Sequence, residues 1–542
     1  MITIYHHGRI YSGNGFIDAF AIEGNTIVAT GTLESLQHQF SQATLHDLQG
    51  HFVTAGFNDS HMHVLNYGYG LASLALAEHT QSLNELQTYV ANMIHDRAIP
   101  AGRWVRGRGW NHDFFSDGHK FPTRYDLDQI TTDHPLCLVR ACGHACVVNS
   151  LALQLINVTK DTPQPEGGAF DVDEQGEPLG IFRENGLDMV YRALPKPSID
   201  ELEEMLVHAM HELNRFGVTS AQTDDYVVFH GLDYHDVIQA YQNLEAKGKM
   251  SVRIYEQNHF TNTRDLHQFL SEGLNTGVGS SWFKYGPLKM LGDGSLGART
   301  ALLSQPYADD PTKQGIAVYD QTTFDQMIDI AHRNGMQIAI HAIGDAIHYR
   351  IMNALEKTMI DHPLQDPRHG IIHCQIMRND QYYRMKALGL HAYIQSIFLD
   401  YDTGIVRDRV VKSLADTSYG FHTMQRLGLS VSNGSDCPVE LPDCMCGIQC
   451  AVTRQSVHHD YGTYRIEEAM SVADAIHSFT IESAKASFEE HVKGLIEPGY
   501  LADFVIWSDD PFMVDAHDIH TIHPLQTYVD GVCVYDIHTS MD

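Results

Sequence analysis

The chain has 542 residues, 43% hydrophobic and 19% charged, which is typical of a globular protein with one large domain and a smaller one, or with three ordinary domains. Its 36 Lys and Arg residues stand against 68 Asp and Glu residues, and the net charge of −32 repels phosphate backbones and anionic membranes. We therefore expect neither nucleic acid nor a membrane as a partner.

The cysteines and the start of the chain indicate the compartment. Nine cysteines lack the paired spacing of a zinc finger, which favours free thiols in a reducing environment. The first residues, MITIYHHG, lack the basic start and long apolar run of a secretory signal. No apolar run approaches the ~18–20 residues that a membrane span needs. The sequence predicts a cytoplasmic protein.

Both ends of the chain have the pattern of short strands separated by turns. From Phe16 to Thr32 the pattern is that of two strands around a hairpin turn at residues 23–25. Residues 501–507 and 527–535 repeat the strand pattern. We expect residues 1–55 and 490–542 to build one small β domain together.

Between these ends, helical patterns that end at a glycine alternate with apolar strands. Residues 201–216 are amphipathic and end at Gly217, and residues 218–223 then have a strand pattern. The same succession returns at 324–341 and at 380–394. It predicts βαβ units, and a closed (β/α)8 TIM barrel over residues 56–489 fits the many polar strand ends better than an open sheet. Residues 75–195 break the pattern and are too many for a loop, which predicts an inserted subdomain after the first strand.

The first chemical signal is the pair His61 and His63, which follows the short apolar strand 50–57. Residues two apart on an extended strand point to the same face, so both imidazoles can reach one divalent cation. In a chain with 35 histidines, such a pair also arises as two surface or hydrogen-bonding side chains. The pair by itself leaves both interpretations open.

Four further ionisable residues stand at the ends of apolar segments that should be buried: Lys289, His341, His373 and Asp436. Taken singly, each has an ordinary explanation: a hydrogen-bonded core histidine, a snorkelling lysine or a turn aspartate. Charged groups rarely occupy buried segments unless they are paired or bind a metal. Together with the histidine pair, they predict a metal centre at the carboxyl ends of the barrel strands.

The order of these residues resembles the amidohydrolase superfamily, and in particular the branch that contains N-substituted formamide deformylase. The resemblance rests on GFNDSHMH (56–63), KMLGDGSLGART (289–300), HAIGD (341–345) and GSDCPVE (434–440), with Gly143-His144, Asn149 and KGLIEPGYLAD (493–503) in support. It spans nearly the whole chain. Two positions depart from it, because Ile372 stands where the branch has Glu and Cys437 where a small residue is commoner.

The resemblance implies a metal centre at the carboxyl end of the barrel and a β-sandwich made from both termini. His61, His63 and Asp436 would hold one metal, most simply zinc, and His341 and His373 a second, with Lys289 bridging both as a carbamate, a carboxylated lysine. With one ion or two, hydroxide held by the metal would attack a substrate carbonyl, and Asp436 would carry the proton to the leaving nitrogen.

For the substrate side of the site, the resemblance implies that residues 75–195 cover the active site. Trp110 and His144 are candidates for contact with substrate, although both also suit simple packing within the insertion. The expected activity is hydrolysis of a non-peptide carbon–nitrogen bond, an amide or formamide of a small molecule. A homo-oligomer is left open.

Two alternatives stay open on the sequence. The same ligands would serve a deaminase of a cyclic substrate or a peptidase-like hydrolase, because pocket walls decide which bond is cleaved. A metal-binding protein without turnover is the second alternative. Asp436 argues against it, since a structural site is closed by its ligands and needs no proton carrier.

Overall fold

The computed structural model describes residues 1–118, 120–142, 144–165, 167–229 and 231–539. They form two compact units. The first comprises Met1–Leu65, Leu206–Tyr226 and the described chain from Tyr234 onward, and the second comprises the described residues of Asn66–Met205 and Val227–Asp233. No helix within the described ranges is long and apolar enough to span a membrane.

The strands of the described chain are, in order, β1 (Ile2–Tyr11), β2 (Phe16–Glu23), β3 (Thr26–Gly31), β4 (Thr44–Asp47), β5 (Phe52–Ala55), β6 (Phe57–Met62), β7 (Leu74–Ala75), β8 (Val105–Trp110), β9 (Leu136–Arg140), β10 (Ala145–Val148), β11 (Gly168–Val172), β12 (Pro178–Glu184), β13 (Val218–Thr223), β14 (Arg253–His259), β15 (Phe283–Leu291), β16 (Ile338–Ala342), β17 (Gly370–His373), β18 (His391–Ile394), β19 (Val431–Asn433), β20 (Phe504–Trp507), β21 (Pro524–Val529) and β22 (Val532–Asp536).

The α-helices are α1 (Leu33–Gln39), α2 (Val64–Ala72), α3 (Leu83–Asp96), α4 (Arg124–Asp128), α5 (Ser150–Leu155), α6 (Leu187–Tyr191), α7 (Ile199–Arg215), α8 (Tyr234–Ala246), α9 (Thr263–Ser271), α10 (Gln321–Arg333), α11 (Asp345–Asp361), α12 (Asn379–Leu388), α13 (Leu399–Asp402), α14 (Val406–Arg409), α15 (Lys412–Ala415), α16 (Phe421–Arg426), α17 (Cys444–Thr453), α18 (Val472–Ser478) and α19 (Ile481–Ala486). Short 3₁₀ turns lie at His112–Phe114, Ser396–Phe398, Ile466–Glu468 and Ile519–Thr521.

Eight parallel strands form the nearly closed barrel that the alternating pattern predicts, in the order β6, β13, β14, β15, β16, β17, β18 and β19. The first and last strands meet at their carboxyl ends, where the N–H of Asp436 donates to the carbonyl of His61 and the N–H of His63 donates to the carbonyl of Cys437, both at 2.8 Å. The mixed α/β barrel is thus confirmed. Because all eight strands are parallel, their carboxyl ends share one rim, where catalytic side chains of this fold stand.

Helix α7, which precedes the barrel strand β13, illustrates how the sequence produces the alternation of helix and strand. Its apolar residues recur with helical spacing, and Leu202, Leu206 and Leu213 are all fully buried. The helix ends before Gly217, whose φ of +76° suits glycine. An added Cβ there would lie 2.6 Å from the ring of Trp507, so the chain can turn directly into β13 only with glycine.

Strands from both termini pair in one eight-stranded sheet, in the order β22-β21-β20-β5-β1-β2-β3 with β4 paired to β1. The predicted hairpin is confirmed as β2 and β3. The sheet belongs to the same compact unit as the barrel. Its arrangement as a separate β-sandwich domain over 1–55 and 490–542 stays a prediction.

The second unit contains a six-stranded sheet, in the order β11-β12-β10-β9-β8-β7. The unit reaches beyond the expected 75–195 on both sides, and it also takes in 227–233, which follow the second barrel strand. A hydrophobic core that includes Val105, Trp110, Leu138 and Ile181 supports the sheet. That residues 75–195 cover an active site stays a prediction.

Candidate metal centre

His61 and His63 lie at the end of the first barrel strand and share a contact with Asp436. Oδ1 of Asp436 lies 3.4 Å from Nε2 of His61 and 3.1 Å from Nε2 of His63. One ligand atom from each residue falls within 4.8 Å of the others, which makes this a compact group of potential metal ligands in the described chain. The spacing of two places both rings on the same side of the strand end, as expected.

Asp436 is held in place by a buried link between the last and first strands. The carboxylate of Asp59 accepts hydrogen bonds from the hydroxyl of Ser435 at 2.5 Å and from its N–H at 3.0 Å. Asp59 also accepts the N–H of His61 at 3.1 Å. Asp436 itself has a φ of +57°, an uncommon conformation for a non-glycine residue. The backbone is therefore bent to aim this carboxylate at the histidines.

Lys289 lies in β15, and its side chain is almost completely buried. Its Nζ is 3.1 Å from Nε2 of His61 and 3.8 Å from a carboxylate oxygen of Asp224. Asp224 follows β13 and also contacts Nδ1 of His259 at 3.0 Å. His259 and Lys289 are register partners in neighbouring strands, so their side chains lie at the same level of the barrel. The lysine amine is thus enclosed between an imidazole and a carboxylate.

His341 and His373 lie together on the neighbouring strands β16 and β17. Their ring centroids are 4.4 Å apart, and the ring of His373 is 5.6 Å from that of His61. His373 has a φ of +83°, a second strained position at this rim. The ring of Phe398 stacks on His373 at 5.8 Å. All six residues predicted for the metal centre are joined by these contacts.

Main-chain carbonyls orient two of the four histidines. Nδ1 of His63 is 3.1 Å from the carbonyl oxygen of Asp224, and Nε2 of His341 is 3.2 Å from that of Gly294. A carbonyl oxygen only accepts, so these nitrogens carry protons. In the neutral rings, Nε2 of His63 and Nδ1 of His341 then keep the lone pair that a metal requires.

Glutamine side chains orient the other two histidines. Nδ1 of His61 lies 2.7 Å from Oε1 of Gln257, and Nδ1 of His373 lies 2.7 Å from Oε1 of Gln395. Gln257, Gln395 and Asp224 are not among the residues predicted from the sequence. A polar residue at or just beyond a predicted strand end is the one signal that could have pointed to them, and many unrelated residues share it.

Burial sets the charge of most of these histidines. It lowers the pKa of His61 and His341 well below the ordinary value and lowers that of His373 to about 4. Burial also opposes the charged form of His63, but the hydrogen bond to Asp436 and the nearby carboxylates outweigh it and raise the pKa to about 9. Three imidazoles are therefore neutral near pH 7, the form that binds metals.

The pKa values of Lys289 and Asp436 are both lowered, but for different reasons. Burial lowers the pKa of Lys289, although the charges of Asp224 and Asp436 oppose this. Burial acts to raise the pKa of Asp436, but the hydrogen bond with His63 and the nearby histidines outweigh it and hold that pKa below its usual range. Asp436 is thus an ionised carboxylate beside the imidazoles.

This donor set suits a divalent transition metal. Imidazole nitrogens and a carboxylate are ligands that zinc, iron and nickel share, and catalytic zinc sites combine histidines with carboxylates. Hydrogen bonds orient the rings of all four histidines, and Asp436 supplies an ionised carboxylate beside them. His61, His63 and Asp436 would hold one ion, and His341 and His373 could bind a second ion.

The two predicted substrate contacts lie in the second unit. Trp110 is fully buried in the core of that unit, where its indole N–H donates to the carbonyl of Leu138 at 2.9 Å. His144 is exposed and pairs with Glu184 at 3.0 Å. Gly143 of the same motif lies outside the described residues. Asn149 caps α5 by accepting the N–H of Ala152. These are packing and capping contacts, and contact of Trp110 or His144 with substrate stays a prediction.

Comparisons with known proteins match nearly the whole chain to amidohydrolases. The pattern described as the amidohydrolase family matches residues 44–535. A protein of Bacillus subtilis (strain 168) with the provisional name amidohydrolase YtcJ is 33% identical over 541 residues, 99% of this chain and 100% of the relative. N-substituted formamide deformylase from Arthrobacter pascens is 25% identical over 451 residues, 82% of this chain and 81% of the relative.

A solved structure is similar in fold as well. The uncharacterised metal-dependent hydrolase from Pyrococcus horikoshii OT3 superimposes with a TM-score of 0.78 at 27% identity. The match covers 95% of this chain and 99% of that one.

Proposed function

Because the chain belongs to the amidohydrolase family, we propose that its metal centre hydrolyses a carbon–nitrogen bond, an amide or formamide, of a small molecule. The observation that carries the proposal is the contact of one carboxylate oxygen of Asp436 with Nε2 of both His61 and His63. A carboxylate in this position can act both as a metal ligand and as a proton acceptor beside the reacting water.

A divalent cation held there, most simply zinc, would supply Lewis acidity, which polarises a carbonyl and makes water nucleophilic near neutral pH. The chain's own part is to place and move a proton. Asp436 is ionised, so it can accept a proton from the attacking water and deliver it to the leaving nitrogen. His61, His63, His341 and His373 serve as ligands rather than bases in this scheme.

Lys289 has the place of a bridging ligand in the same scheme. An ammonium group cannot bind a cation, whereas a carbamate formed with carbon dioxide is a carboxylate that can. Burial of the amine favours the neutral form that reacts with carbon dioxide. Nζ of Lys289 lies 3.1 Å from Nε2 of His61 and 3.8 Å from a carboxylate oxygen of Asp224, so a carbamate formed there would stand at the same rim as His341 and His373 and could serve with them as a ligand of a second ion.

The relative that cleaves N-substituted formamides supports the choice of bond. The test uses protein stripped of metal with a chelator and reloaded with Zn²⁺, incubated with N-substituted formamides, N-acyl amines, cyclic amidines and dipeptides. We expect formate or a carboxylic acid with a free amine, and no turnover by the stripped protein. Ammonia from cyclic substrates, or amino acids from dipeptides alone, would assign a different bond. No turnover of any substrate by the Zn²⁺ form would contradict the proposal.

A further inference from the structure

We propose that Gln257 and Gln395 are positioning residues that fix the proton on Nδ1 of His61 and His373 and so leave Nε2 of both rings free to bind the metal. The inference rests on the proposed metal centre, but it concerns residues outside the ligand set. Neither glutamine belongs to the proposed ligands. Gln257 contacts His61 from β14, and Gln395 contacts His373 from the residue directly after β18.

The orientation of Gln257 follows from its two partners. Its Nε2 donates to the carbonyl oxygen of Ser60 at 3.1 Å, and that oxygen can only accept. The other end of the amide, Oε1, therefore faces Nδ1 of His61 at 2.7 Å and must receive a proton from it. The lone pair of His61 is then left on Nε2, the atom that lies 3.4 Å from Asp436 and 3.1 Å from Lys289.

Gln395 makes the same contact with His373 from the segment after β18. Its Oε1 lies 2.7 Å from Nδ1, and both side chains are nearly fully buried, so no water competes for this bond. Its Nε2 has no hydrogen-bond partner among the described residues. The amide therefore acts here as an acceptor only. A glutamate at position 395 would keep the oxygen that accepts this hydrogen bond, and it would lose only an amide N–H group that has no partner among the described residues.

Partners of this kind matter because a metal-binding imidazole must hold its proton on the other nitrogen. Groups that receive this proton fix the ring orientation and strengthen the ligand, and their loss typically costs about 10–100-fold in metal affinity. The main-chain carbonyls that orient His63 and His341 cannot be removed by substitution. Gln257 and Gln395 are therefore the positions where this effect can be measured.

The experiment measures the Zn²⁺ dissociation constant of the full chain by competition with a chromophoric chelator. Gln395→Met and Gln257→Met keep the length of the side chain and remove the acceptor, and we expect each to weaken binding about 10–100-fold. Gln395→Glu should bind Zn²⁺ at least as tightly as the unmodified protein. The control is Gln375→Met, because Gln375 is buried two residues after His373 in the chain, but its Oε1 accepts no hydrogen bond from the described residues.

Circular dichroism and the Tm of the metal-free proteins show whether each variant folds. If one methionine variant does not fold, the other is enough to test the inference. Unchanged Zn²⁺ affinity in a folded methionine variant, or equal losses in Gln395→Glu and Gln395→Met, would overturn the inference. A protein that binds Zn²⁺ with the expected pattern but hydrolyses no amide would contradict the proposed function alone. Affinity and turnover thus separate the two failures.

Discussion

Oδ1 of Asp436 lies 3.1 Å from Nε2 of His63, although the two residues are 373 positions apart in the chain. The contact closes the barrel rim between its last and first strands. It also sets one carboxylate beside two imidazole nitrogens, which is the arrangement from which the proposed chemistry follows.

Replacing Asp436 by Asn tests the proton-transfer role. The amide keeps the shape and one ligating oxygen but cannot accept a proton, so most of the metal should remain while kcat falls at least ~10²-fold. Metal analysis and kcat on a cleaved amide measure the two effects separately. A variant with full metal content and near-normal kcat would show that another residue carries the proton.

Replacing Lys289 by Ala tests the bridging role. Removal of the amine should lower metal content and activity together, and short-chain carboxylates should restore part of both by occupying the vacated position. In the unmodified protein, ¹³C-labelled bicarbonate should give a carbamate signal by NMR. If Lys289→Ala bound two metal equivalents and kept its activity, the lysine would have no part in the centre.

Gly434 should tolerate no side chain, because a Cβ there would lie 2.6 Å from Oδ1 of Asp59 and 2.7 Å from the nitrogen of His61. Gly434→Ala must displace the strand that carries the histidine pair. We expect a loss of about 1–3 kcal/mol in the free energy of unfolding, together with reduced Zn²⁺ binding. Gly70→Ala is the control, since an added Cβ there meets no atom within 4 Å. Equal stability and metal binding in both variants would contradict this expectation.

A buried ion pair joins the barrel to the terminal sheet. Nε of Arg253 lies 2.7 Å from one carboxylate oxygen of Asp503, and a terminal guanidinium nitrogen lies 3.1 Å from the other. Asp503→Asn leaves the buried guanidinium with one carboxylate partner, Asp530, at 2.8 Å, and should cost about 3 kcal/mol in denaturant unfolding, the lower end of the range for a broken buried pair. The exposed pair Lys412 and Asp416 provides the control, because Asp416→Asn should cost under about 1 kcal/mol. Similar costs for the two variants would show that burial of the pair has little effect.

Acid should destabilise the fold through a buried histidine relay away from the metal centre. The N–H of Ile338 donates to Nδ1 of His369, whose Nε2 lies 2.7 Å from Nδ1 of His332. Burial, aided by His332, lowers the pKa of His369 to about 3. Below the ordinary pKa of about 6.5 the unfolded chain therefore binds a proton that the folded chain does not.

This stability is present above about pH 6.5 and is lost as the pH falls toward 3, with about 2 kcal/mol gone by pH 5. His369→Gln can still accept from Ile338 and donate to His332, but it does not titrate. Denaturant unfolding at pH 8, 6.5 and 5 should therefore show a smaller acid loss in this variant than in the unmodified protein. The same slope in both proteins would rule out His369 as the source.

Local patterns in the chain were enough to predict the barrel and to select six residues that the structure brings together at its rim; that these six bind metal stays a prediction. Helical spacing ends at a glycine and passes into an apolar strand again and again, and both patterns depend only on neighbouring residues. In parallel strands the carboxyl ends share one rim, so ionisable residues at several strand ends could be expected to meet. His61 and His63 are recognisable for the same reason, since two residues on one strand share a face.

Only the tertiary structure decided which other residues hold the side chains of that group in place. Gln257 stands 196 positions from His61, and nothing in its local sequence distinguishes it from other strand glutamines. Trp110 is enclosed in the core of the second unit, a position that its sequence could not decide, because an aromatic residue after a glycine has the same pattern in a core as in a pocket wall. Its contact with substrate stays a prediction. A hydrogen bond or a packed ring depends on distances across strands, and those distances arise only when the chain has closed.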